Sequence, residues 1–250
     1  MLNGIFWLPV STLCRRELLR FWRQKARVAG FLGSPLIFWL VLGSGFGNLA
    51  FFYPGAVTLT VMFFSVFSMM SLIEDRREGF LLSMLVSPAP RCALVFGKIL
   101  GAGLLAWLQG ILFLAFLPMT GFAGTLGDVA AAAGVLGLIA FLFTALGFLF
   151  AWRIDSTQGF HAIMNLVLFP LWMVSGALFS STGAHTWMQW LMMVNPLTYP
   201  LAALRQLLDA ASAPAAPGLA LSVTLTAVLG LALWVAATLV AGRPEKSSTA

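Results

Sequence analysis

Few side chains in this sequence are equipped for a reaction. Among 250 residues there are two histidines, His161 and His185, two cysteines, Cys14 and Cys92, and eight acidic groups. The histidines are far apart in the chain and no metal-binding cluster can be assembled around them. An intramembrane protease needs a buried Ser–His pair or paired Asp; no G-x-S-x-G is present, and His161 and His185 are expected near opposite membrane faces. Gly97-Lys98 has the last letters of a phosphate-binding loop, but Ile99 follows and no upstream glycine has the required spacing. The chain is therefore expected not to hydrolyse ATP by itself, to hold no metal or cofactor, and to be no enzyme. The densest polar chemistry lies in Glu74–Lys98. Five charges (Glu74, Asp75, Arg76, Arg77, Glu78) lead to Gly79, a short apolar patch from Phe80 to Val86, Ser87-Pro88-Ala89-Pro90, Arg91 and Lys98.

The rest of the chain must position that segment, and it is mostly oil. Apolar residues make up 60% of the sequence and charged ones 9%, against about 25% charged in a soluble domain. Such a chain has too little polar surface for water and reads as a polytopic membrane protein. No cleavable signal peptide is expected, because the first residues lack a basic start. A bilayer core takes about twenty apolar residues per helix, and six windows qualify: about 28–47, 53–73, 98–118, 129–152, 161–180 and 219–241. The alternating ten-residue segments of a closed barrel are missing. The expected fold class is all-α, with six transmembrane helices in one transmembrane domain over 1–250 and the bundle over 28–241.

Residues 11–27 have helical periodicity. Cys14, Leu18, Phe21 and Trp22 share one stripe, and Arg16, Arg20, Arg23 and Arg27 fall opposite. A basic amphipathic helix of this kind is expected to lie in the membrane interface; binding to calmodulin or nucleic acid is the weaker alternative. With six spans the loops alternate sides. Every one of the 14 Lys and Arg residues except Arg205 then falls on one side. That asymmetry places both termini in the cytoplasm and accounts for the net charge of +6 without nucleic acid. Cys14 and Cys92 share that side, where thiols stay reduced.

The outer loop over 181–218 is long, aromatic and broken by Asn195-Pro196 and Pro200, and is expected to hold one or two short re-entrant helices. An Ala/Pro linker covers 210–217, and the tail over 242–250 is expected to be disordered. Gln109 and Asn165 within the spans suit interhelical hydrogen bonds or a substrate path. Gly43-x-x-x-Gly47 and Gly97-x-x-x-Gly101 allow close helix contact, and Pro170 should kink the fifth span. The Phe and Met richness of the second and fifth spans (Phe63, Phe67, Met70; Trp172, Met173) suits core packing, lipid contact or an adaptable passage for an amphipathic substrate.

Glu78-Gly79-Phe80, Met84-Leu85-Val86-Ser87-Pro88, Arg91 and Gly97-Lys98, followed by Asn195-Pro196-Leu197-Thr198-Tyr199 and Arg205, resemble in order and spacing the permease subunits of type 2 ATP-binding-cassette exporters. The likeness is greatest to single-domain permeases of the drug-resistance and nodulation-factor type. The resemblance implies a six-helix half-channel that forms a homo- or heterodimer in the bacterial inner membrane and sits on two copies of a separate ATPase subunit. It also implies that a short cytoplasmic helix after the second span docks on the ATPase. A helix over about 75–86 would place Arg77, Leu81, Met84 and Leu85 on one side, with Pro88 fixing its end and Glu74 pairing with Arg77 at i, i+3. Glu74, Arg77, Glu78, Gly79, Phe80, Leu81, Met84, Leu85 and Pro88 are the expected coupling residues. Asn195, Pro196, Tyr199 and Arg205 mark the outer re-entrant element. The expected function is export of a drug, lipid or glycoconjugate; the alternatives are a non-transporting membrane scaffold and an ion-coupled carrier, the latter disfavoured by the scarcity of charge inside the spans.

Overall fold

The protein, described here from a computed structural model, is traced for residues 2–22, 25–179, 184–209 and 217–242. Arg23, the side chain of Trp22, residues 181–183 of the outer loop, 210–216 of the linker and the tail from 243 lie outside the described residues. Eleven α-helices account for nearly everything else: α1 (Leu2–Trp22), α2 (Lys25–Gly45), α3 (Leu49–Ser68), α4 (Met70–Arg77), α5 (Phe80–Leu85), α6 (Arg91–Leu114), α7 (Leu126–Arg153), α8 (Thr157–Trp172), α9 (Thr186–Val194), α10 (Thr198–Leu208) and α11 (Leu219–Gly242). No strand occurs among the described residues.

Local chemistry explains where the helices begin and stop. Asn48 starts α3 by accepting a bond from the Phe51 amide at 2.9 Å. Thr125 and Asp128 form a reciprocal capping box at the start of α7, and Ser156 caps α8 through Gly159 N. Among the described residues, the glycines with positive φ are Gly47, Gly79, Gly121 and Gly176. Gly79, at φ 74°, ends α4, so the expected single helix over 75–86 is two helices joined at a left-handed corner.

Among the described residues, five continuous helical runs are long and apolar enough to cross a membrane: Leu49–Arg77, Arg91–Leu114, Leu126–Arg153, Thr157–Ala177 and Leu219–Gly242. They coincide with the second to sixth expected windows to within a few residues at most ends, the third starting earlier, at Arg91. The first window falls on α2, whose apolar stretch is the shorter Gly33–Gly45. The amphipathic helix expected over 11–27 begins earlier, at Leu2, and Lys25 and Arg27 belong to α2 instead.

α3 forms the centre: 78% of its apolar stretch is buried, against 17% for α11 at the periphery. Close approaches are made at glycines. A Cβ on Gly110 would stand 2.6 Å from Val61, and one on Gly147 would stand 3.0 Å from the Val66 backbone, so α6 and α7 both press on α3 where a larger residue would not fit. The fifth run is irregular. After Pro170 it passes into a π turn over Met173–Ala177, and the non-helical backbone lies at Gly176 (φ 95°) rather than at the proline.

Candidate coupling site

α1 turns one stripe inward: Val10, Leu13 and Glu17 are buried, with Cys14 and Phe21 half-buried beside them. It crosses α6 at Gly97 and Gly101, where an added Cβ would stand 2.9 Å from Val10 Cα and 2.9 Å from Cys14 Cα respectively. The close contact allowed by Gly97-x-x-x-Gly101 is thus realised between α6 and α1. Phe21 packs edge-on to Phe64 of α3 with ring centres 5.2 Å apart.

This crossing brings Glu17 against Lys98, and both are almost fully buried. Lys98 Nζ donates to Glu17 Oε1 at 2.6 Å and to Asp75 Oδ2. Asp75 is itself fully buried and accepts a fork of two bonds from Arg16, 3.1 and 2.7 Å long. Arg20 bridges Asp75 at 3.1 Å and Glu74 at 2.5 Å. Three cations therefore face three carboxylates, the arrangement in which charges survive burial. Burial acts against the Arg16 charge, but its bonds to Asp75 outweigh this and hold the guanidinium above its ordinary range. The Arg16 guanidinium also lies 3.9 Å over the Phe80 ring.

Two expectations are corrected here. Arg16 and Arg20 do not form an outward polar stripe; they reach into the bundle because the acids of α4 lie there. Glu74 pairs with Arg20 and not with Arg77. Arg77 Nε instead donates to the Asp155 carbonyl at 3.1 Å.

The remaining cations of the segment cap other helices. Arg76 donates to the Trp152 carbonyl and to the Asp155 carboxylate, each at 2.6 Å, and also meets the Ala151 and Ile154 carbonyls. Arg91 donates to the Ala241 and Gly242 carbonyls, each at 3.0 Å. The last carbonyls of a helix have no partner within it and carry its negative dipole end. Arg76 thus closes α7 and Arg91 closes α11.

In α5, Leu81 and Met84 are buried in the bundle core, and Phe80 and Leu85 are half-buried. Leu82 (67% exposed) and Val86 (76% exposed) point outward, flanked by exposed Arg77, Glu78, Gly79, Ser83 and Pro88. A groove of about 520 Å³ runs between α1 (Leu8, Thr12, Leu13), α5 (Phe80, Met84) and Pro88.

The expected substrate-path residues separate into two sets. Phe67 and Trp172 lie in the core, where Phe67 stacks on His161 at 4.3 Å and Trp172 donates to the Gly55 carbonyl at 2.8 Å. The others lie outside it: Asn165 is exposed on α8, Met173 is exposed in the π turn that follows, and Phe63 and Met70 are half-buried.

At the opposite end of the bundle, Asn195 Nδ2 donates to the Leu171 carbonyl at 2.6 Å while its Oδ1 accepts from Leu197 N at 2.9 Å. Half-buried Pro196 lies in the turn between α9 and α10. Tyr199 donates to the Met193 carbonyl at 2.7 Å. Arg205 donates to the Gly176 carbonyl at 2.9 Å and lies 4.4 Å over the Phe51 ring. Burial pushes the Arg205 guanidinium below its ordinary range, with Asp209 acting in the opposite direction.

Sequence reasoning passed over Glu17 and Lys98 as site residues and counted Asp75 only as one of a run of charges. A signal existed for Glu17, which at about 100° per residue falls at the edge of the apolar stripe, next to Phe21. Lys98 stands inside the small-residue motif of α6. Nothing local marks Arg76 and Arg91 as caps, because their partners lie 75–79 and 150–151 residues away.

An all-helical bundle with several membrane-length helices and a charged, hinged corner between two of them is the build of a membrane transport subunit. Residues 9–208 match the ABC-2 type transporter family, and the chain belongs to that family. It is 25% identical over 214 residues to ycf38 of Cyanophora paradoxa, which is named as a transport permease; the match covers 80% of this chain and 74% of that protein.

Proposed function

We propose that this chain is the membrane subunit of an ATP-driven exporter for an amphipathic or hydrophobic substrate such as a drug, a lipid or a glycoconjugate. Two permease chains, identical or related, form the passage, and two separate ATPase subunits drive it. α2 supplies the sixth crossing, and the excess of Lys and Arg at the coupling end sets that end in the cytoplasm of a bacterial inner membrane. The observation that carries this reading is the α4–α5 corner. Its apolar tip, Leu82 and Val86, is exposed at a polar end of the molecule, and an apolar patch in that position needs a partner. Leu81 and Met84 on the reverse side anchor the tip in the core, and Glu74, Asp75, Arg76 and Arg77 tie it to α1, α6 and α7. A push on the tip is therefore delivered to several spans together.

The passage runs between α3 and α8 of the two protomers. Exposed Gln158, His161 and Asn165 on α8, near half-buried Phe63 and Met70, give it a mixed polar and adaptable wall. Co-purification tests the reading. The ATPase partner should come down with the wild-type chain and show ATP turnover in proteoliposomes, and Leu82→Asp or Val86→Asp should abolish both. A purified chain with no ATPase attached and no turnover would overturn it.

A further inference from the structure

We infer that Lys98 is a positioning residue that fastens α1 to the coupling corner, so that α1, α4 and the start of α6 move as one body. This rests on the reading of the corner as the ATPase contact and adds a second element to what the contact moves. Lys98 is on α6, Glu17 on α1 and Asp75 on α4, and the one ammonium bonds both carboxylates. Elsewhere α1 and α6 meet through backbone and side chains packed at Gly97 and Gly101 and through the Phe6–Phe96 ring pair, with centres 6.3 Å apart. Those contacts are non-directional and fix neither the rotation of α1 nor its height. Arg16 and Arg20 tie α1 to α4, and the doubly bonded Lys98 beside the crossing sets that pair of helices against α6 in both respects. Without Lys98 the cluster holds two cations against three acids, and the orphaned charge is Glu17, the member whose other cation, Arg16, is 3.6 Å away. The charge left unpaired drives α1 out of its seat toward water.

Cys14 reports on this directly, because it lies half-buried in the crossing against Gly101. Burial and the neighbouring Glu17 carboxylate push its thiol up, so it reacts slowly where α1 is seated. The experiment follows alkylation of Cys14 by N-ethylmaleimide in the full chain in lipid nanodiscs, with Cys92→Ser removing the other thiol. Lys98→Met should raise the rate about tenfold as the crossing opens and exposes the thiol. The sign is diagnostic, since losing a nearby cation with α1 still seated would raise the thiol pKa further and slow the reaction. Arg91→Met, which uncaps α11 without touching α1, should leave the rate unchanged. An unchanged or slower rate in Lys98→Met would overturn the inference, as would an equal rise in Arg91→Met. If Lys98→Met is not recovered as monodisperse protein, Lys98→Gln, which keeps a polar end of similar reach, is read by the same criteria. No ATPase takes part, so failure here and failure to capture an ATPase are separate results.

Discussion

The two ends of the bundle solve the same problem by different means. At the coupling end, side chains join helices through ion pairs: three cations and three carboxylates in one cluster, with Arg76 and Arg91 extending it to α7 and α11. At the opposite end the joints among the described residues include single hydrogen bonds from Asn195, Trp172 and Arg205 to backbone carbonyls, and the carbonyls of Leu171 and Gly176 belong to the irregular end of the fifth run. A balanced ionic cluster resists the loss of any member because the remainder is left charged in a low-dielectric setting. A set of separate bonds to carbonyls gives way one bond at a time. The coupling end is thus built to move as a block, and the opposite end is built to rearrange locally.

The sharpest way to break this contrast is Asp75→Asn. It removes the carboxylate shared by Lys98, Arg16 and Arg20, and should cost roughly 3–5 kcal/mol, seen as a large fall in thermal unfolding temperature. A loss as small as that of a single hydrogen bond would mean that the cluster is not cooperative. Gly101→Val comes next. It forces α1 off α6 by overpacking, at about 1–3 kcal/mol, and should also raise the reactivity of Cys14. Asn195→Ala should cost about 1–2 kcal/mol, with new proteolytic cuts confined to 184–209 and no change at Cys14. Cuts appearing also at the coupling corner would show the two ends to be one unit. The smallest effect on stability belongs to Leu82→Ala, within about 0.5 kcal/mol of wild type. That variant should nonetheless lose ATPase capture, which separates the outward tip from its inward anchors Leu81 and Met84.

The helices were legible because each is decided locally. Runs of about twenty apolar residues mark the spans, and Asn48, Thr125 and Ser156 stand where capping chemistry puts them. The corner was misread at one residue: the apolar spacing of Leu81, Met84 and Leu85 suggested one helix, while Gly79 supplied a left-handed stop that spacing does not report. The ion cluster was less legible for a different reason. Glu17, Asp75 and Lys98 are each ordinary charges near a helix end until three helices cross, and Glu74 had a plausible local partner in Arg77. The structure gave it Arg20, because a pair across helices at a half-buried site, next to the buried Asp75, outweighs an exposed i, i+3 pair worth about a few tenths of a kcal/mol.

The caps on α7 and α11 bear on the order in which the chain is made. Arg76 and Arg91 emerge from the ribosome long before Trp152, Asp155, Ala241 and Gly242, the groups they bind. Of the partners in this corner only those on α1 are already present when it is synthesised. The ionic cluster with α1 closes first, while Arg91 waits for α11, 150 residues further on. A nascent protein halted before α11 would therefore carry an intact hub and an uncapped arginine, and this end of the bundle is closed only once α11 has been made.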